Sequence, residues 1–241
     1  MSGARTGAVP AVAVVVPVYR NEATLRPLVD RLAAALTGRE WRVRLVVDAS
    51  PDGSAGVARG LAAADPRVGV TVLPVNGGQH AALARGLADE PAAGAWVCMD
   101  ADLQDPPEAV PLLLDRLAGG DVGAVFAGRR GAYQAPGRRL TGELHRRVAA
   151  RLTGLPPDAG AFLAMGPDVR AAVLTAGAPS VVLAVAAARR PVASVPVVRD
   201  RRPEGRSAWT ARARLAQSAR SLAWARRARV SAPSAGPPGR S

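Results

Sequence analysis

Short runs of β-branched and aliphatic residues alternate, along the first half of the chain, with longer segments in which Ala, Leu and Arg recur at helical spacing. The runs are VAVVVPVY at 12–19, RVRLVVD at 42–48, VGVTVLP at 68–74, AWVCMD at 95–100 and VGAVFAG at 122–128. Between them the spacing predicts helices over 22–37, 54–63, 79–89 and 106–118. Near-continuous apolar runs suit strands covered on both faces, and strand and helix in strict alternation predict an α/β chain with a mostly parallel sheet and helices on both sides. Ligands of such sheets sit at the carboxyl ends of the strands. Those ends are polar here: PVYRNEA, DASPDGS, PVNGGQHAAL and MDADLQDPPE.

From about 129 the alternation decays into an Arg-rich segment, RRGAYQAPGRRLTGELHRRVAARLTG, followed by PPDAGAFLAM at 156–165. The stretch 205–241 contains no acid, and its final residues, SAPSAGPPGRS, read as a disordered tail. The pattern places one domain over 1–215 and a basic terminal segment over 216–241. The opening residues, with Pro10 and Pro17 inside an apolar stretch and no small-residue cleavage site after it, read as a first buried strand and not as a signal peptide. The longest later apolar stretch is broken by Arg189, Arg190 and Pro191, short of the roughly 18 apolar residues that a spanning helix needs. A soluble or peripheral protein of the cytoplasm is expected, in the peripheral case on the inner face of the cell membrane.

The charge sharpens this picture. The 241 residues carry a formal +13, and all 32 basic residues are Arg. A chain without Lys cannot build a Walker A loop, a Schiff-base site or a Ser-Lys dyad. One cysteine, Cys98, forbids an internal disulfide and reads as a packed small hydrophobe, and two histidines do not make a His/Cys zinc cage. None of the strand ends is the G-x-G-x-x-G turn of a dinucleotide-binding fold, so hydride transfer has no support. The Arg excess predicts an anionic partner: phosphorylated small molecules, lipid headgroups or nucleic acid. Without a reading helix, zinc module or aromatic platform, nucleic acid is not expected.

Against that background the acid cluster at 100–108 stands out. Asp100 and Asp102, one residue apart where a buried strand begins to turn, can converge on one hard cation, with Gln104 as a neutral third oxygen. Magnesium or manganese fits, because either ion keeps waters and is completed by substrate phosphates. Asp105 and Glu108 read differently, as a helix N-cap and a capping box around Pro106. In DASPDGS, Asp52 reads as an Asx turn or cap.

The segments VVVPVYRNEATL, DASPDGS, NGGQHAAL and MDADLQDPPE, in this order and spacing, resemble the inverting GT-A glycosyltransferases of family 2, most closely the polyprenyl-phosphate sugar transferases. PPDAGAFLAM and RRPEGRSAW are similar to downstream motifs of that subgroup, so the resemblance runs over roughly 11–215. It implies a GT-A, Rossmann-like fold and transfer of a hexose from GDP-mannose or UDP-glucose to a polyprenyl phosphate, with Mg²⁺ or Mn²⁺. By the resemblance, Pro17, Tyr19 and Glu22 line the base pocket, and Asp48 holds base or ribose. Asp100 and Asp102 bind ribose and metal, with Gln104 also on the metal. Arg202 and Ser207 belong to a flexible loop closing on the donor diphosphate.

On the acceptor side, Arg129, Arg130, Arg138 and Arg139 form either a phosphate cradle or a solvated basic helix. The resemblance selects Arg129 and Arg139 as acceptor contacts, and Asp158 as the carboxylate that orients the acceptor or acts as base. For Asp158 a turn after Pro156 and Pro157 is the competing reading. Residues 206–229, with seven Arg and interspersed Trp209, Leu215, Leu222 and Trp224, suit an anionic membrane surface. The sequence departs from the family at Val47, Ala49, Val75, Ala161, Leu163 and Ala208, where polar residues or Gly are usual. These exchanges fit an altered substrate, a hydroxyl acceptor, or a nucleotide-sugar-binding protein that has lost catalysis.

Overall fold

A computed structural model of the chain describes residues 12–91, 93–130 and 153–200, together with Trp224. Its strands are β1 (Val12–Val18), β2 (Trp41–Asp48), β3 (Val68–Leu73), β4 (Ala95–Cys98), β5 (Ala124–Arg130), β6 (Leu163–Met165) and β7 (Val192–Val198). They form one seven-stranded sheet in the order β3-β2-β1-β4-β6-β5-β7. All pairings are parallel except those of β6, which runs antiparallel between β4 and β5. The helices are α1 (Leu25–Ala35), α2 (Ser54–Ala64), α3 (Gln79–Asp89), α4 (Val110–Ala118), α5 (Pro167–Thr175) and α6 (Val181–Ala187). The expected mostly parallel α/β architecture is present.

Side-chain alternation along the strands divides the core between two faces. One cluster joins Val14, Val16, Leu45, Val97 and Val125 to α1, α2 and α4 through Leu28, Leu32, Leu61 and Leu113. The other joins Val15, Val46, Cys98, Phe126 and Leu163 to α3, α5 and α6 through Leu83, Leu87, Val169 and Val185. Helix α3 lies so close to β1 and β2 that a Cβ at Gly86 would overlap the Val15 methyl and meet Val46 Cγ2 at 2.8 Å. Val47 and Leu163, two of the departures from the family pattern, are 1% and 0% exposed and serve this core.

Helix α1 begins at Leu25 instead of 22, because Asn21 folds the chain into a turn. Its Oδ1 accepts from Tyr19 N at 3.0 Å, and its carbonyl accepts from the N–H groups of Thr24 and Leu25. The expected capping box at 105–108 is not formed. Residues Pro107–Ala109 make a 3-10 turn without a side-chain cap. Pro106 and Pro107 bring no N–H to cap, and the two acids find arginines: Asp105 pairs with Arg199, and Glu108 with Arg31 at 2.6 Å. Part of the Arg excess is spent in this way on ion pairs within the fold. Arg44 donates to the buried Glu90 at 2.9 Å, and Arg39, Arg67, Arg85 and Arg116 each hold an Asp.

Candidate active site at the carboxyl edge of the sheet

Strand order reverses direction between β1 and β4, the place where open α/β sheets leave a crevice. The pairing ends early there. Cys98 is the last β4 residue paired with β1, opposite Val15, and Met99 N still reaches Val15 O at 3.2 Å. The next β1 residue facing β4 is Pro17, which has no N–H to offer. The two chains therefore part at Pro17 and Asp100. Pro17 itself is buried, and its register partner is Val46.

The loops after β1 and β2 are tied to each other. Arg20 N donates to Ser50 Oγ at 2.7 Å, Asn21 N to Ser54 Oγ at 3.0 Å, and Gly53 N to Glu22 Oε2 at 2.9 Å. Asp52 accepts from Ser50 Oγ, Ser54 N and Glu22 N, which completes an Asx turn. Burial opposes its charge, but these hydrogen bonds outweigh burial and hold Asp52 below the usual carboxylate range. Among the described residues, three of the four non-glycine residues with positive φ, Arg20 (58°), Ala49 (48°) and Leu103 (60°), lie just past β1, β2 and β4. Backbone strain of this kind, on the order of 1–3 kcal/mol each, gathers at functional edges.

Asp48, the last residue of β2, is 2% exposed. Both its oxygens are engaged by the NGG turn, from Gly77 N and Gly78 N at 2.7 Å each, while Asn76 Nδ2 reaches its carbonyl at 3.0 Å. Asp48 thus fixes the entrance to α3. The first α3 side chain, Gln79, then donates through Nε2 to Asp100 Oδ1.

The acid turn is held from several directions. Thr24 Oγ1 donates to Ala101 O at 2.7 Å, and Gln104 N to Asp102 Oδ1 at 3.0 Å. Arg199, which follows β7, donates through Nε to Asp105 Oδ1 at 2.7 Å, and its Nη2 lies 3.8 Å from Asp100 Oδ2. Asp200 N adds a backbone bond to Gln104 O at 2.9 Å. Asp105, 3% exposed, is therefore a structural acid, whereas Asp100 and Asp102 are half-buried at the crevice. Among the described residues no three His, Cys, Asp or Glu side chains converge as a metal cage. Two carboxylates and the Gln104 amide in one turn instead fit a hard cation completed by waters and phosphate oxygens, the usual coordination of Mg²⁺.

Asp158 lies at the same edge. A Cβ at Gly128 on β5 would overlap Asp158 Oδ2, so a glycine is required for the carboxylate to rest on the strand. Ser194 Oγ on β7 donates to that oxygen at 2.9 Å. Alternation puts Asp48, Asp100 and Gly128 on the face of Val46, Cys98 and Phe126, and Asp158 meets Gly128 there. One face of the carboxyl edge thus carries three acids from β2 across to β5. Tyr19 and Glu22 stand at the β1 end, with Arg20 5.6 Å from the Tyr19 ring centroid. Arg139, Arg202, Ser207, the side chain of Arg129 and the 206–229 segment apart from Trp224 lie outside the described residues.

Two titratable groups, the buried Cys98 and the half-buried His80, flank the crevice. Burial, with the Asp100 charge second, pushes the Cys98 thiol up to about 12, so it stays an inert core group. Burial pulls His80 down to about 4 from its ordinary 6.5. The unfolded chain then binds the extra proton between these values, so this contribution is whole above pH 6.5 and is lost as pH falls toward 4. We expect acid to remove up to about 3 kcal/mol through this residue. Chemical denaturation at pH 7 and pH 4.5 should show a smaller pH dependence in His80→Leu; an identical pH dependence in the variant would contradict the assignment.

Arg199, Gln79, Gly128 and Ser194 complete the site without having been singled out in the sequence. Gln79 lay inside a quoted motif and Arg199 inside an Arg run, so residue type alone did not mark either. Gly128 carried the one usable signal, a glycine at the end of a buried strand, which often marks close approach of another group.

The family model described as glycosyl transferase family 2 matches residues 13–165, more than half of the chain. The undecaprenyl-phosphate 4-deoxy-4-formamido-L-arabinose transferase of Pseudomonas aeruginosa is 38% identical over 149 residues, 60% of this chain and 43% of that protein. The dolichol-phosphate mannosyltransferase of Mycosarcoma maydis is 38% identical over 124 residues, 49% of this chain and 42% of its own. The chain spans less than half the length of these relatives. Among solved structures, glucosyl-3-phosphoglycerate synthase from Mycobacterium tuberculosis, with Mn²⁺, uridine diphosphate and phosphoglyceric acid, superposes with a TM-score of 0.66 at 20% identity, covering 94% of this chain and 81% of that one. A mannosyltransferase from Pyrobaculum calidifontis with GDP-Man and Mn²⁺ gives 0.64 at 19% identity, over 95% and 66%. The sheet order, the acid turn after β4 and the matched segment converge on one assignment: the chain belongs to glycosyl transferase family 2.

Proposed function

We propose that the protein is an inverting glycosyltransferase that moves a hexose from a nucleotide-sugar to a polyprenyl phosphate. The observation that carries this reading is the row of Asp48, Asp100 and Asp158 on one face of the carboxyl edge, with the crevice between β1 and β4 inside it. Asp100 and Asp102, with Gln104, would hold a divalent cation, Mg²⁺ or Mn²⁺. Such a cation supplies a positive charge against the nucleoside diphosphate leaving group. Pro17, Tyr19 and Glu22 frame the place for the base, and Asp48 holds the glycine turn that closes it. GDP-mannose and UDP-glucose are both consistent donors.

Asp158 faces the acceptor. A phosphate monoester has a second pKa near ~6, so it reaches neutral pH already ionised and needs orientation more than deprotonation. Ser194 and Gly128 fix the carboxylate for that task. Arg129 and Arg139 bind the acceptor phosphate in this reading, and Arg202 and Ser207 close on the donor. The basic 206–229 segment places the protein peripherally on an anionic, cytoplasmic membrane surface. Among the described residues no helix is long and apolar enough to cross a membrane.

Calorimetry with UDP and GDP, each with and without Mn²⁺, tests the donor half. One of the two should bind, only weakly without metal, and Asp102→Ala should lose the metal dependence. Equal binding with and without Mn²⁺ would argue against a metal at the acid turn. Full binding combined with no transfer to any acceptor would favour a protein that retains the donor site and has lost catalysis.

A further inference from the structure

Asp100, Asp102 and Asp105 put three carboxylates within six positions, and the far edge of the sheet sends an arginine in among them. Arg199 follows β7 and meets Asp105 Oδ1 through both Nε and Nη2, at 2.7 and 2.6 Å. The same Nη2 lies 3.8 Å from Asp100 Oδ2. Its side chain is 17% exposed, so it cannot swing into water without opening the turn. The next residue is pinned as well, by Asp200 N to Gln104 O at 2.9 Å and by Asp200 to Arg31 at 3.0 Å.

Asp100 is the carboxylate for which this matters. Its Oδ1 accepts from Gln79 Nε2 and its Oδ2 faces Arg199, so each oxygen already looks at a protein group. Asp48, at the end of β2, is satisfied in another way, by two backbone N–H groups. Those groups carry no net charge, whereas a guanidinium does. A divalent cation brought to Asp100 and Asp102 meets that fixed positive charge in a half-buried place, where solvent screens it incompletely. Two cationic centres that share one carboxylate oppose each other. Diphosphate oxygens reverse the balance, because they attract the cation and the guanidinium alike.

Resting on the nucleotide-sugar reading above, we propose that Arg199 is a positioning residue that acts as a resident counter-charge of the acid turn. It keeps the turn from holding a divalent cation alone and makes cation and diphosphate bind as one unit. Arg199 then does more than balance Asp105, because it sets the order of events at the crevice. Nucleotide and cation enter together, and the nucleoside diphosphate leaves with its cation. An ion pair of purely structural use would give the same fold without this coupling.

Metal affinity, not turnover, is the readout. Mn²⁺ alone is titrated into the full chain and the free ion is followed by its paramagnetic resonance. The titration is repeated with UDP or GDP, after subtracting the ion that the nucleotide binds unaided. Wild type should bind Mn²⁺ weakly alone and at least roughly tenfold more tightly with its nucleotide. Arg199→Gln keeps a donor for Asp105 and removes the charge. It should bind Mn²⁺ alone at least about tenfold more tightly than wild type, and Mn²⁺ alone should raise its melting temperature. Arg199→Lys also loses the guanidinium shape but keeps the charge, so it should behave as wild type does. A wild type that holds Mn²⁺ as tightly alone as with nucleotide would overturn the proposal, even if a variant failed to fold. So would an Arg199→Gln protein no tighter than wild type, or an Arg199→Lys protein as tight as Arg199→Gln. If a nucleotide binds and the series shows no effect of charge, only the role of Arg199 falls. If neither nucleotide binds, the donor reading falls instead, and the series with Mn²⁺ alone still reports on Arg199.

Discussion

Asp102→Ala should lower the transfer rate by at least ~10³-fold, because charge on the departing diphosphate then develops without its cation. The fold should hardly notice. Asp102 is half-buried, and the hydrogen bond it accepts from Gln104 N is a local turn contact at 3.0 Å. Removing such a group changes stability by about 1 kcal/mol or less. Ligand linkage separates the two effects. Mn²⁺ with the preferred nucleoside diphosphate, at about a hundred times the dissociation constant, should stabilise the wild type by about 2.7 kcal/mol. The variant should melt at the same temperature with and without them. A variant that keeps both the stabilisation and the rate would remove Asp102 from the metal site.

The second large effect concerns Arg199, which reaches the acid turn from the far edge of the sheet. Its guanidinium is 17% exposed, and it meets Asp105, whose side chain is 4% exposed. Arg199→Leu leaves that carboxylate buried beside Asp100 without this counter-charge, and cutting one partner from a buried pair typically costs about 3–5 kcal/mol. Both variants should be compared by urea denaturation. Arg199→Leu should lose stability on that scale, whereas Arg199→Leu with Asp105→Leu should recover most of it, since replacing both charges by apolar groups is often neutral. A double variant no more stable than the single one would show that the pair is not what Arg199 contributes. The contact also couples chemistry to architecture, because Asp200 N to Gln104 O and Asp200 to Arg31 dock the same segment onto the acid turn.

The first half of the fold was legible because its strands are long, β-branched and separated by helices of ordinary length. VAVVVPV, WRVRLVVD and VGVTVL became β1, β2 and β3 with little change at either end. Past β5, read as VGAVFAG and present as Ala124–Arg130, the fold was not legible. Strand β6 is three residues, LAM, too short for a period, and it runs antiparallel in the middle of the sheet. Helix α6 and strand β7 share a continuous Val/Ala composition that separates them only where Arg189 turns to positive φ (50°) ahead of Pro191. The acid turn drew attention in the sequence because Asp100 and Asp102, at a strand end and ahead of the expected cap, would repel each other without a counter-ion. Its supports were hidden, because Gln79, Arg199 and Ser194 lie 21 to 99 residues from the side chains they touch or face, and no local pattern reports such distances. The capping box failed for a related reason: the arginines that claim Asp105 and Glu108 come from elsewhere in the chain.

Transfer itself tests the central claim most directly. The protein is incubated with Mn²⁺, polyprenyl phosphate and a radiolabelled nucleotide-sugar, with UDP- and GDP-linked donors in separate reactions, and lipid-extractable label is counted. The acid row, the crevice and Asp158 predict a labelled polyprenyl-phosphate sugar from one donor class, lost in Asp102→Ala. Wild type and Asp102→Ala giving the same background with every donor would contradict it.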